Sequence, residues 1–193
     1  MPELILASAS PRRAELLRQA GFSFSIREST LSEETFKEPP PRGVEQLALE
    51  KAGNVAGNLS SGIVLGADTV VIEDGIILGK PGDKDEAKEM LRRLSGNEHT
   101  VITAIALIDA ANNRRKITDH VETRVWMRKL HDDEISAYAE SNEPYDKAGA
   151  YGIQGYAAVF IRRIEGCYFN VVGLPLSMVC LHLSRLGIKP SWD

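Results

Sequence analysis

In four stretches of this 193-residue chain, charged or flexible residues stand where folding alone gives no reason for them. The first is "LILASASPRRAELL", residues 4–17. Arg12 and Arg13 open a predicted helix at its electropositive end, where Asp or Glu is the favoured choice. Spacing of i+3 and i+4 puts Arg13 on the apolar stripe of Leu16, Leu17 and Ala20. Arg13 is therefore expected to turn inward, toward the strand end at Ser8, with Arg12 beside it. A strand, a serine-bearing loop and a helix start with two guanidiniums make an anion site. A bound polyanion would turn the repulsion into attraction; two solvated surface arginines are the plainer alternative.

Lys51 raises a second question. In "VEQLALEKAGNVA" the stripe is Val44, Leu47, Ala48, Ala52 and Val55, and Lys51 sits in its middle. A lysine there needs a counter-charge, or it snorkels at the edge of the core. Asp68 in "IVLGADTVVI" is the third case. The strand is apolar or small on both faces, which predicts a covered, central strand. A carboxylate in it is costly unless paired or coordinating, and has the profile of a general base or metal ligand. The alternative is a structural acid capping a neighbouring element.

The fourth stretch is "DKAGAYGIQG", residues 146–155, in which Gly149, Gly152 and Gly155 recur with Lys147 and Gln154 among them. Glycines let backbone approach a ligand, and the Gln154 amide offers a donor and an acceptor to a base edge. Taken alone, such a loop is as readily a simple turn. Lys80 in "LGKP" adds a cation near the strand that carries Asp68. The histidines at 99, 120, 131 and 182 have no paired ligand spacing, which argues against a zinc site of His or Cys.

The elements that must position these residues follow from periodicity. A strand is predicted over 4–8, a helix capped at Ser10 and stopped by Gly21, and a helix over 44–55. A buried strand over 62–72 turns at "EDG" into a hairpin. A helix follows from Asp83 to Gly96, then strands over 99–108 and 121–127 and a helix over 131–141. "AAVFIRRIEGCYFNVV" is predicted as a second hairpin turning at Glu165 and Gly166, and a helix over 176–186 closes the chain. Helices interleaved with strands and hairpins indicate an α/β protein with a mixed sheet and flanking helices, read as one domain over 1–193.

Composition narrows the partners. Apolar residues make up 43% and charged residues 26%, as in ordinary globular proteins. With 23 Lys+Arg against 27 Asp+Glu the net charge is −4, which argues against a general nucleic-acid binder. An anionic partner must then be small and held locally. The chain has two cysteines, too few for a disulfide framework. The apolar run at Leu4 to Ala7 is too short for a leader or a membrane span, and a cytoplasmic protein is expected.

Taken together, "LILASASPRRAELL", "LGADTVV", "GKP", "MLRRLSGNEHTVITA", "EPYDKAGAYGIQG" and "VVGLPL" resemble the Maf family of nucleoside triphosphate pyrophosphatases over nearly the whole length. The resemblance implies a twisted α/β fold of two lobes around a deep cleft, like that of inosine triphosphate pyrophosphatases, often in a homodimer. It also implies cleavage between the α and β phosphates with a divalent cation, Mg²⁺ or Mn²⁺. By resemblance Asp68 is the proton acceptor, and Ser8, Arg13, Lys51 and Lys80 handle phosphate, with Lys147 a further substrate contact. Glu33 in "STLSEET" matches an acidic position and, with Asp68, a metal ligand; Ser32 departs from the acid many members carry before it. Arg12, Thr69 and Gln154 match the marks of the branch acting on dTTP and UTP. The branch acting on 7-methyl-GTP usually carries Trp, Gln and Glu there. A non-catalytic nucleotide-binding regulator, for instance of cell division, would use the same cations.

Overall fold

The computed structural model describes residues 2–31, 38–111 and 115–192. The strands are β1 (Leu4–Leu6), β2 (Ser25–Ile26), β3 (Ile63–Glu73), β4 (Ile76–Leu78), β5 (Glu98–Asp109), β6 (Lys116–Met127) and β7 (Ile161–Glu165). The helices are α1 (Pro11–Gln19), α2 (Arg42–Ala56), α3 (Lys84–Leu94), α4 (Asp132–Ala139), α5 (Tyr168–Val172) and α6 (Leu176–Arg185). The strands form a mixed seven-stranded sheet in the order β2-β1-β3-β5-β6-β7, with β4 added on β3. Parallel pairs, β1 with β2 and β3, coexist with the antiparallel pairs β3–β4 and β6–β7, as the mixture of crossovers and hairpins requires.

The chain forms two compact units. Unit 1 comprises residues 1–68, 103–121 and 173–193; unit 2 comprises 69–102 and 122–172. In unit 1, α1 starts as predicted: Ser10 is extended at the N-cap and Pro11 takes the first helical position. The Ser10 side chain makes no cap, and its own N–H donates instead to Ser8 Oγ at 3.2 Å. Leu16 and Leu17 are buried, each worth roughly 1.5–3 kcal/mol of burial. The helix ends before Gly21, whose φ of +82° suits glycine. The carboxyl tail closes on that turn, where Ser191 N–H donates to Gly21 O at 2.8 Å and Trp192 Nε1 to Ala20 O at 3.3 Å.

In unit 2, β3 and β4 meet at a two-residue turn, Asp74 and Gly75, with φ of +48° and +74°, the turn suited to twisted hairpins. Asp83 Oδ1 caps α3 through the Glu86 N–H at 2.9 Å. The core of the unit gathers Leu91, Leu94, Val101, Val125, Ile135 and Phe160. The second hairpin is not formed. A short 3-10 helix, Tyr156–Phe160, leads into β7, and Tyr168–Val172 is helical. β7 finds its antiparallel partner in β6, so it needs no returning strand. The apolar run after Gly166 is instead fastened by a buried amide: Asn170 Nδ2 donates to Val101 O at 2.9 Å and to Thr123 Oγ1 at 2.8 Å.

Candidate functional site

In unit 1 the parallel pairing decides where chemistry can sit. β1 and β3 pair with Leu6 opposite Leu65, and Ala7 N–H donates to Leu65 O at 2.8 Å. Ser8 follows the paired stretch of one strand and Asp68 that of the other, in the same direction. Both are buried. Ser8 lies past the carboxyl end of β1, where ligands of α/β sheets bind, whereas Asp68 lies within β3, three residues beyond its last pairing with β1.

Arg13 resolves the conflict at the start of α1 by turning away from it. Its Nε donates to Gly173 O at 2.9 Å and its Nη1 to Ser8 Oγ at 3.1 Å. The guanidinium thus bridges the loop after β1 and the approach to α6. Arg12, half-buried, stands beside it in the first turn.

Gly66 shapes the other half of this unit. A strand alternates faces, so Val64, Gly66 and Asp68 look the same way. A Cβ on Gly66 would lie 2.4 Å from Ala48 O and 2.8 Å from Ala52 N, so the α2 backbone rests directly on β3 there. Lys51, beside Ala52, is carried to Asp68: Nζ lies 2.5 Å from Oδ1, with the side chains 15% and 13% exposed. The stripe lysine and the strand acid answer each other. Removing one member of such a pair leaves an uncompensated charge and costs about 3–5 kcal/mol when burial is complete. The second oxygen of Asp68 has no partner among the described residues.

In unit 2 the remaining candidates lie on β3, after β4, and on the loop over 143–156. Thr69 is half-buried and next to Asp68 in the chain, and Lys80 is exposed just beyond β4. The loop is pinned to that hairpin by Gly149 N–H, which donates to Gly79 O at 2.9 Å. Its glycines make room for side chains of the unit itself. A Cβ on Gly149 would meet Val71 at 3.1 Å, one on Gly152 would meet Lys147 Cε at 2.5 Å, and one on Gly155 would meet Glu143 Oε2 at 2.2 Å. Lys147 donates to Glu143 O and to Asp146 Oδ1, both at 2.6 Å, so its ammonium is held within the loop. Gln154 is exposed, and its amide takes no partner among the described residues.

Two residues with a part in this arrangement escaped the sequence reading. Gly66 carries a signal, a glycine within an apolar strand, which marks close backbone approach. Glu143 carries none, because its partners, a phenol on α4 and backbone amides thirteen and fourteen residues on, follow no local pattern. Its Oε1 accepts from Tyr138 OH at 2.9 Å and its Oε2 from Tyr156 N–H at 2.8 Å. Burial, reinforced by the Glu143 carboxylate, pushes the Tyr138 phenol well above its usual range, which keeps it a donor. Glu33, expected as an acidic ligand, lies outside the described residues. No group of three or more His, Cys, Asp or Glu is placed to hold a metal among the described residues. No helix there is long and apolar enough to cross a membrane.

Comparison with known proteins adds three findings. The model of the Maf-like protein family matches residues 3–186. A dTTP/UTP pyrophosphatase of Pelotomaculum thermopropionicum is 47% identical, covering 97% of this chain and 98% of that protein. One of Syntrophus aciditrophicus is 50% identical, covering 96% and 90%. Among solved structures, a HAM1 protein from Coxiella burnetii superposes with a TM-score of 0.51 at 18% identity, covering 96% of this chain and 100% of that one, a likeness of fold.

Proposed function

The chain belongs to the Maf-like protein family, and from that premise we propose that it is a pyrophosphatase of dTTP and UTP, releasing the monophosphate and diphosphate. Relatives of that name, 47% and 50% identical over nearly full length, support the substrate class. The observation that carries the chemistry is the buried Asp68 carboxylate, with one oxygen held by Lys51 at 2.5 Å and the other unengaged among the described residues. That free oxygen accepts a proton from water as the water oxygen bonds to the α-phosphorus. The bond from that phosphorus to the bridging oxygen breaks, and diphosphate leaves. Arg13, Lys51 and Lys80 compensate the charge of the phosphates, and the Ser8 hydroxyl, already accepting from Arg13, has its proton to donate.

A divalent cation suits this donor set. Mg²⁺ or Mn²⁺ takes one or two carboxylates and completes its shell with water and substrate oxygens. Asp68 and Glu33 are the two acids we assign to it. When bound, the ion polarises the phosphoryl group. Arg12, Thr69 and Gln154 select the pyrimidine, because a wrong base leaves polar groups unpaired. We place the enzyme in the cytoplasm as a homodimer; the free thiols of Cys167 and Cys180 fit a reducing compartment.

Pyrophosphate release from dTTP, UTP and GTP, with Mg²⁺ or Mn²⁺, tests the proposal directly. Turnover of dTTP and UTP well above that of GTP is expected. Nucleotide binding without release under any of these conditions would leave a binding protein in place of an enzyme.

A further inference from the structure

Gln154 presents, at an exposed point of its loop, an amide with no partner among the described residues, a poor arrangement for selectivity unless the backbone beneath it is held. A flexible side chain on a mobile loop would lose on ordering much of what a hydrogen bond to a base contributes. The described structure shows what holds it. Two residues beyond Gln154, the Tyr156 N–H donates to Glu143 Oε2 at 2.8 Å, and the Ala157 N–H reaches Oε1 at 3.4 Å. The same carboxylate accepts from Tyr138 OH at 2.9 Å, which ties it to the buried face of α4. At the other end, Lys147 Nζ donates to the backbone oxygen of Glu143 at 2.6 Å. One residue therefore receives the loop from both sides: its carbonyl binds where the loop leaves, and its carboxylate binds where the loop returns.

The glycine next to Gln154 belongs to this clasp. Its φ is −97°, open to any residue, so a left-handed turn is not the reason for glycine here. A Cβ would sit 2.2 Å from Glu143 Oε2 and 2.3 Å from Cδ, so Gly155 is needed to let the chain lie against the carboxylate. A charge-assisted acceptor of backbone N–H is a strong anchor.

We infer that Glu143 is a positioning residue for nucleobase selectivity, acting through Gln154 by clasping the loop that carries it. This rests on the reading of Gln154 as a base contact. The bonds of the Glu143 carboxylate run to Tyr138, Tyr156 and Ala157, all within unit 2, so its loss is expected to fall on the binding of the correct base and not on the chemical step.

The test is steady-state kinetics of the full chain with dTTP, UTP and GTP for E143A, E143Q, Q154A and the E143A/Q154A double variant. Q154A is expected to lower the ratio of kcat/KM for dTTP over GTP about tenfold, the worth of one hydrogen bond. E143A should lower it by a similar factor, through KM, with kcat for dTTP kept within about twofold. The double variant should fall no further than Q154A, since both remove the same discrimination. E143Q keeps an oxygen for the Tyr156 N–H and should hold the ratio within about threefold of the parent. A parent-like ratio in E143A beside a relaxed ratio in Q154A overturns the inference and leaves Gln154 standing. A further loss in the double variant overturns it too. An unchanged ratio in Q154A removes the reading of Gln154 and the inference with it. Should E143A fail to fold, G155A displaces the carboxylate without deleting it; the same loss of ratio supports the clasp, and a parent-like ratio refutes it.

Discussion

Unit 1 keeps its charged candidates on or beside regular elements and binds them to one another, whereas unit 2 leaves Gln154 on a loop with no partner among the described residues and fastens that loop through Glu143. Asp68 and Lys51 come from β3 and α2, and Arg13 from α1 onto Ser8. In unit 2, Glu143, Lys147 and Tyr138 are all occupied with internal partners, while the exposed Gln154 amide takes none among the described residues. A group that handles protons or phosphate gains from a fixed, partly dry setting, where charges act strongly and need no rearrangement. A group that reads a base must meet an incoming ligand, so the rigidity has to be supplied by its neighbours.

The comparison breaks most sharply at Asp68. Asp68→Asn removes the proton acceptor and should lower kcat about a thousandfold while nucleotide affinity, read by calorimetry, stays near that of the parent. Near-parent turnover would take Asp68 out of that role and leave unit 1 with a merely structural ion pair.

Acid should separate the units next. His99 is buried in unit 2, donating to or accepting from Tyr151 OH at 2.7 Å, and burial drops its pKa to about 4 from 6.5. The unfolded chain binds this proton more readily, so His99 contributes stability above pH 6.5 that is lost as pH falls to about 4. The full span is worth about 3 kcal/mol. Trp126 fluorescence in a W192F background reports unit 2, and its urea midpoint should fall over that window; H99N should flatten the slope. A slope untouched by H99N would place the acid sensitivity elsewhere.

Gly66→Ala sharpens the contrast from the side of unit 1. The new methyl meets α2 backbone, so about 2 kcal/mol of stability is expected to go, with a lower kcat as Lys51 moves off Asp68. The dTTP over GTP ratio should not change. A changed ratio would mean that selectivity reaches into unit 1 through α2.

The smallest effect is expected at the loop. Gln154→Glu trades an amide donor for a charge and should lower the preference for dTTP and UTP over GTP about tenfold, with folding stability unaltered because the side chain is exposed. An unchanged substrate profile would leave unit 2 without a base contact.

Much of this was written in local sequence. Pro11 after Ser10, Asp83 three residues before Glu86, and the Asp74–Gly75 turn each declare their element, because caps and turns are contacts among near neighbours. The anomalies were legible for the same reason: Lys51 and Asp68 each contradict a period that the surrounding residues define. The 161–172 region misled because β-branched and aromatic residues suit a strand, and only the partner already pairing with β7, and the Asn170 bonds to Val101 and Thr123, make the following run helical.

By itself, then, the sequence determined the family, the mixed α/β character and the identity of the residues that break pattern. Which of them answer each other was decided in three dimensions. Lys51 meets Asp68 because Gly66 admits α2 to β3, and Arg13 leaves its helix end for Gly173, 160 residues away in the chain. The glycines of the 146–155 loop could be counted in sequence, but what they make room for could not. Close approach and long-range hydrogen bonds depend on which surfaces the folded chain brings together, and no local pattern encodes the partner.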